Sequence, residues 1–134
     1  MKQTFVAAHG LIKRGDRFLV TFRAKENDYI PEVWDVPGGT IEFGEDIKKA
    51  LQREIFEEVN LKIKPGKILL AFGYLNNPSR HQFQLVYECE YISGQIKLNP
   101  KEHSRFRWIE FSEMKKLKKI AFLEELYNEF KNRL

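Results

Sequence analysis

Residues 38–61 read GGTIEFGEDIKKALQREIFEEVNL, and this stretch decides how the rest of the chain is read. Ile47, Ala50, Leu51 and Ile55 recur at helical spacing, so a helix is expected from about Glu45 to Val59. Asn60 suits a left-handed cap at its end, a conformation Asn tolerates. On a wheel at about 100° per residue with Ile47 at zero, Leu51 falls at about 40°, Ile55 at about 80° and Ala50 at about 300°. Glu54, at about 340°, and Glu58, at about 20°, fall inside that apolar arc, and Glu57 lies on its edge at about 280°.

That placement is unfavourable in three ways. An unpaired carboxylate resists burial. Glu54 and Glu58 are like charges one helical turn apart. All three acids sit in the C-terminal half of the helix, where the macrodipole disfavours anions. A sequence that breaks several local rules at one place usually does so for function. A divalent cation relieves the conflict, because hard ions such as Mg²⁺ or Mn²⁺ prefer clustered carboxylate oxygens. The competing reading is a solvent-facing acidic helix end. The preceding residues weigh against it. Pro37 fixes the entry, and Gly38-Gly39 lets the backbone approach a ligand closely or turn with positive φ. A glycine pair before a helix is a weak phosphate signal alone, but beside three acids it describes a phosphate-plus-metal site.

Working outward, Thr4 to Ile12 and Arg17 to Phe22 are β-prone runs around Gly15-Asp16, which reads as a hairpin. The Arg14-Gly15-Asp16 triplet is read as that turn rather than as an adhesion motif. Ala24 to Pro31 is a polar loop, and Val33 to Val36 is a short strand ended by Pro37-Gly38-Gly39, with Thr40 to Gly44 as an irregular link. After the helix, Leu61 to Tyr74 reads as strand broken at Pro65-Gly66, Asn76 to Arg80 as loop, and Phe83 to Ile92 as a strong strand. Asn99 to Ser104 is a polar loop before a last strand, Arg105 to Phe111. Ser112 is expected to cap a helix, and Ile120 to Leu134 carries an amphipathic one. This order predicts a mixed sheet with helices on both faces.

The chain has 134 residues, the size of one domain, so residues 1–134 are expected to share one core. Apolar residues at 43% and charged residues at 31% exclude a disordered composition. A net charge of +4 favours anionic ligands only mildly, and the Lys115-Lys116, Lys118-Lys119 run reads as a solvated helix face. A nucleic-acid partner is therefore not expected. The single cysteine, Cys89, cannot form an internal disulfide and reads as buried packing. Met1 to Phe5 lacks the apolar core of a signal peptide, and no run reaches the roughly 18 apolar residues of a membrane span. The cytoplasm is the expected location.

The segment from Gly39 to Leu61 resembles the Nudix box, Gly-x5-Glu-x7-Arg-Glu-U-x-Glu-Glu-x-Gly-U, where U is a bulky aliphatic residue. Gly39, Glu45, Arg53, Glu54, Ile55, Glu57, Glu58 and Leu61 all match, and only Asn60 departs, standing where the pattern has glycine. Trp34 to Gly39 also looks like the family's usual approach to the box. The resemblance implies an α/β fold, an α/β/α sandwich around a mixed sheet. It implies that Glu57 and Glu58 are metal ligands, that Glu54 is a ligand or the base activating water, and that the Gly38 carbonyl is a backbone ligand. It further implies that Gly38 and Gly39 approach the substrate and that Arg53 and Glu45 form a structural salt bridge. Many members take a further acid from a late loop, and Glu102 suits that position as base or extra ligand, against the alternative of a surface acid.

Arg23 is a candidate for the terminal phosphate, against a surface charge. Arg80 and His81 lie in a loop that could reach the substrate, against solvent exposure. His9 reads as a structural histidine rather than a catalytic one, and Trp34 and Phe122 read as core packing rather than base stacking.

The activity implied is Mg²⁺-dependent hydrolysis of a pyrophosphate bond in a small nucleoside diphosphate derivative, with Mn²⁺ a substitute. Compact size favours a nucleoside triphosphate, with ADP-ribose the close alternative. A proline downstream of the box accompanies ADP-ribose hydrolysis in related enzymes, and Pro78 lies downstream but off that register. A non-catalytic nucleotide- or RNA-binding domain is the alternative of another class, disfavoured because the box acids remain. An RNA cap or 5′-triphosphate hydrolase would need an extended basic groove. Nudix domains often dimerise, so a homodimer is left open.

Overall fold

The computed structural model describes residues 1–27 and 30–133. The chain order is β1 (Gln3–Arg14), β2 (Arg17–Arg23), β3 (Trp34–Asp35), β4 (Gly38–Thr40), α1 (Ile47–Val59), β5 (Lys62–Asn77), β6 (Arg80–Ser93), β7 (His103–Ile109), a 3₁₀ turn (Phe111–Lys116) and α2 (Ala121–Phe130). The strands form one seven-stranded mixed sheet in the order β3-β2-β1-β6-β5, with β4 paired to β1 and β7 to β2.

Period-two alternation explains why both faces are covered. Along β1, Leu11 enters one core and Ile12 the other; along β2, Phe18 and Val20 face one side and Leu19 the opposite one. Leu51, Ile55 and Val59 of α1 pack on the Ile12–Leu19 face. Phe122, Leu123, Leu126 and Phe130 of α2 pack on the Leu11–Phe18–Val20 face, as the mixed sheet between helices predicted. Cys89 is buried, and burial pushes its thiol up to about 12. Trp34 is buried beside Phe22, with ring centroids 5.1 Å apart, which fits core packing.

The feature that positions the site is a split in the sheet. β1 pairs with β2 only beside the turn, at Lys13↔Phe18 and Arg14↔Arg17. Beyond it β2 diverges to pair with β3 and β7, while β4 takes up the freed edge of β1 at Ala7↔Thr40, Ala8↔Gly39 and His9↔Gly38. The glycine pair, expected only to end the preceding strand, is thus itself strand, and Thr40, expected in the irregular link, belongs to it.

Several boundaries differ from the sequence reading. α1 starts at Ile47, because the Asp46 carboxylate accepts the Lys49 N–H at 3.2 Å and caps it; Glu45 lies outside the helix. β5 is continuous through Pro65-Gly66, which are absorbed by a register shift between Pro65 and Ile68. β7 begins at His103. The 3₁₀ turn is capped by Glu110, whose N–H donates to Glu113 at 3.1 Å, and not by Ser112. α2 ends at Phe130; Leu134, assigned to it by spacing, lies outside the described residues, as do residues 28–29 of the polar loop. In the lysine run Lys119 is not solvated: its side chain is 6% exposed and pairs with Glu124 at 2.7 Å. Asn60 adopts the left-handed conformation expected, at φ 63°.

Candidate active site

α1 presents its acids to two different environments. On the outer side Arg53 gathers carboxylates. Its Nε and one terminal nitrogen donate to Glu45 at 2.7 Å each, and the other terminal nitrogen donates to Glu54 at 3.0 Å and Glu57 at 3.2 Å. This is the salt bridge that the resemblance implied, extended to two further acids. Arg53 and the Glu42 N–H together draw the Glu45 carboxyl down to about 2. Glu57 is exposed at 58% of its side chain. Glu54 lies behind Gly39, against the glycine itself: a Cβ there would overlap the Glu54 carboxylate. Burial raises the Glu54 pKa above the usual carboxylate value, although Arg53 opposes the rise.

On the inner side Glu58 faces a cleft of about 690 Å³. Its carboxyl is raised well above the usual range, first by burial, then by the charges of Asp35, Glu54 and Glu102, with the Gly38 N–H in partial compensation. A Cβ on Gly38 would overlap the Ala8 carbonyl oxygen. Neither Gly38 nor Gly39 has positive φ, so close approach, and not a turn, is what requires glycine at both.

The loop before β7 is stitched to the end of α1. The Lys97 N–H donates to the Val59 carbonyl at 3.0 Å and the Asn99 N–H to the Glu58 carbonyl at 3.2 Å, while the Ala24 N–H donates to the Glu102 carbonyl at 2.8 Å. These bonds bring Glu102 and His103 to the cleft beside Glu58. The Glu102 carboxylate accepts from Asn27 at 3.3 Å. His103 is 3% exposed, with Nδ1 3.2 Å from a Glu58 oxygen but out of line, so that both buried ring nitrogens lack a hydrogen bond. Burial lowers its pKa to about 4, so the ring is neutral at pH 7.

Of the residues singled out in the sequence, Arg23, Gly38, Gly39, Glu58, Arg80 and Glu102 line this one cleft. Glu54 and Glu57 flank it from the helix without lining it. Arg23 is anchored, with one terminal nitrogen 2.8 Å from Asp35 and Nε donating to the Ile30 carbonyl at 2.9 Å. Arg80 rests over the Phe5 ring at 3.8 Å. His81 packs on Phe83 and does not line the cleft. His9 and Phe122 belong to the cleft wall as well as to the packing expected of them.

Sequence reasoning missed Asp35, His103 and the glutamines Gln82 and Gln84. Asp35 is 1% exposed; its two oxygens take the Val36 N–H at 2.7 Å and Arg23. An acid inside the apolar run Val33 to Val36 was the signal available for it.

The donor set fits a hard divalent cation in kind: carboxylate oxygens, with Glu58 raised by burial first and by its acidic neighbours second, and a backbone N–H of Gly38 in partial offset. Among the described residues, no three His, Cys, Asp or Glu side chains converge on a single point as they stand, since Arg53 holds Glu54 and Glu57. No helix among them is long and apolar enough to cross a membrane.

Acids massed beside a glycine strand, at one end of a cleft in a split mixed sheet, suit a hydrolase that handles phosphate. Comparison with known proteins gives the family. The NUDIX domain matches residues 3–130, and the chain belongs to the Nudix hydrolases. Members of this family generally use divalent metal ions. The chain is 31% identical over 121 residues to "NAD-capped RNA hydrolase NudC" of Stutzerimonas stutzeri (strain A1501), covering 87% of this chain and 42% of that protein. It therefore spans about two fifths of that relative's length. It is 30% identical over 124 residues to "ADP-ribose pyrophosphatase" of Methanocaldococcus jannaschii, covering 90% of this chain and 68% of that protein. The crystal structure of the MutT protein from Methanosarcina mazei Go1 superposes with a TM-score of 0.85 at 22% identity, covering 99% of this chain and 98% of that one, a likeness of fold.

Proposed function

We propose that the chain hydrolyses a pyrophosphate bond in a nucleoside diphosphate derivative, with Mg²⁺ as cofactor and a nucleoside triphosphate as the first substrate reading. The observation that carries this is a single cleft lined both by acids and by aromatic and amide groups. Glu58, Glu102 and Gly38 are among the first; Phe72, Gln84 and Phe122 are among the second. The acids suit a diphosphate and the rings and amides a base, and the volume lies within the range of small-molecule sites.

Glu54, Glu57, Glu58 and the Gly38 carbonyl would hold the cation, which when bound supplies neutralisation of the charge that guards a phosphoanhydride. The proton of the attacking water goes to a carboxylate. Glu102 lines the cleft and Glu54 is held behind Gly39 by Arg53, which favours Glu102 as that base. The Arg53–Glu45 pair keeps the loop before α1 against the helix, so that Gly38 and Gly39 stay beside the acids. Arg23 and Arg80 contribute positive charge along the same cleft.

A second reading, ADP-ribose, is favoured by the 30% identity to a relative of that name. The relatives named NAD-capped RNA hydrolases bring RNA ends in as a further substrate to test, against the sequence expectation. The experiment is product analysis with Mg²⁺ and a panel of nucleoside triphosphates, ADP-ribose, NAD and NAD-capped RNA. Cleavage of the diphosphate in any of them supports the reaction, and the preferred compound names the substrate. No cleavage with Mg²⁺ or Mn²⁺ contradicts it.

A further inference from the structure

Among the described residues, only the two ring nitrogens of His103 are fully buried side-chain polar atoms without a hydrogen-bond partner. Such atoms are rare in folded proteins, because burial removes water and nothing replaces it. The backbone fixes the residue in this setting. The His103 N–H donates to the Asn99 carbonyl at 2.9 Å, and His103 stands opposite Arg23 in the β2–β7 ladder. The neighbouring Glu102 is tied on both sides, its N–H to the Asn99 carbonyl at 3.0 Å and its carbonyl to the Ala24 N–H at 2.8 Å. These bonds hold His103 beside the cleft.

The surroundings of the ring are acidic. Nδ1 lies 3.2 Å from Glu58 Oε1. The carboxylates of Asp35 and Glu102 are near enough for their charges to act on Glu58, and that of Asp35 acts on His103 too. A neutral imidazole carries one N–H and one lone pair. With the proton on Nδ1, the N–H misses the line to Glu58, and the Nε2 lone pair is buried without a donor. With the proton on Nε2, the Nδ1 lone pair faces a carboxylate oxygen, and the two electron-rich atoms repel. A cation bound to both atoms turns that second arrangement from repulsive to attractive. The spacing fits: ligand atoms about 2.1 Å from one ion, at angles of about 90–110°, stand about 3.0–3.4 Å apart. The Nε2 proton is then held in the field of the Asp35 charge.

We propose that His103 Nδ1 is a ligand of the cation together with Glu58, a nitrogen donor that makes the site favour a transition ion such as Co²⁺ over Mg²⁺. Imidazole suits first-row transition ions, whereas Mg²⁺ takes oxygen donors and dehydrates reluctantly. Arg53 holds Glu54 and Glu57 on the outer side of α1, so Glu58 and His103 are the pair already disposed for an ion on the cleft side. Water and substrate phosphate oxygens complete the coordination sphere. The inference rests on the reading above that the acids hold a cation, and it names the kind of ion.

The test reads the ligand atom directly and needs no turnover. The full chain is loaded with Mn²⁺, a paramagnetic probe, and studied without substrate by pulsed electron paramagnetic resonance. Wild type is expected to show the nitrogen modulation of a coordinated imidazole. His103→Phe keeps a planar ring and removes both unpartnered nitrogens. It is expected to fold, to bind Mn²⁺ through its carboxylates and to lose that modulation. By calorimetry, Co²⁺ is expected to bind this variant at least about tenfold more weakly than wild type, with Mg²⁺ affinity changed by less than about threefold. Mn²⁺ bound to wild type without nitrogen modulation overturns the proposal and leaves the cation reading standing, whereas no Mn²⁺ binding overturns both. Modulation that persists in His103→Phe, or equal losses of Co²⁺ and Mg²⁺ affinity, also overturns the proposal. Should the variant not fold, the wild-type spectrum alone decides.

Discussion

The acidic and the amide-and-aromatic parts of the cleft lining, its acidic and amide ends, are built in opposite ways. The acidic end comes largely from neighbouring sequence: Gly38, Gly39, Glu54, Glu57 and Glu58 lie within 21 residues, on a short strand and the helix after it. The amide end is assembled from β1, β5, β6 and the start of α2, where His9, Phe72, Gln84 and Phe122 meet from widely separated positions. The acidic end holds buried charge in mutual repulsion, whereas the other holds neutral dipoles and rings. Most of the acids are thus drawn from one segment, with Glu102 added from a distant loop, whereas the amide and aromatic groups are spread across the fold.

The comparison can be broken most sharply at Glu58. If the acidic end carries the reaction, Glu58→Gln should lower the hydrolysis rate by about 10²-fold or more while the circular dichroism spectrum stays that of the native fold. Activity near wild type would remove the distinction between the ends. A smaller difference separates two acids of the same end. Glu102→Gln is expected to reduce kcat more than Glu54→Gln if Glu102 takes the water's proton, read from rates at saturating substrate; an equal or larger loss in Glu54→Gln would contradict it.

Gly38→Ala tests the backbone between them. The added methyl must displace the Ala8 carbonyl, part of the β1 backbone, so a loss of about 1–3 kcal/mol in urea unfolding is expected. An unchanged midpoint would show that β4 can move away from β1. The smallest effect lies at the rim. Because the folded pKa of Glu45 is drawn below its ordinary 4.5 to about 2, its ion pair stabilises the fold fully above pH 4.5, and this contribution fades as pH falls toward 2. Glu45→Gln should therefore be less stable than wild type at neutral pH, and the two unfolding midpoints should converge between pH 4.5 and 2. Curves that stay parallel would mean the pair adds nothing.

The legible parts follow this division. The apolar periodicity of Ile47 to Ile55 announced α1, the misplaced acids announced the carboxylates of which Glu58 lines the cleft, and Gly15-Asp16 announced the hairpin. β4 was hidden because three residues, two of them glycine, carry no alternation; its identity as strand comes from β1, left unpaired where β2 diverges. His103 was read as loop, since its burial depends on bonds between the loop and the end of α1. Gln82 and Gln84 alternate with Phe83 and Leu85, so in sequence they mark the solvent side of a half-buried strand. Only α2, tied to the sheet where Trp34 exchanges bonds of 2.9 Å with Lys118 and Ile120, closes over that side and makes it a cleft.

The central claim is that the acids of α1 serve to hold a cation at the diphosphate. It is tested most directly by titrating Mn²⁺ into the wild-type protein and into Glu58→Gln and following free Mn²⁺ by electron paramagnetic resonance. Saturable binding by wild type is expected, with an affinity weaker by at least about tenfold in the variant, whose neutral amide oxygen is a weaker ligand for a hard cation than a carboxylate. Equal binding by the two proteins, or none by wild type, would contradict it.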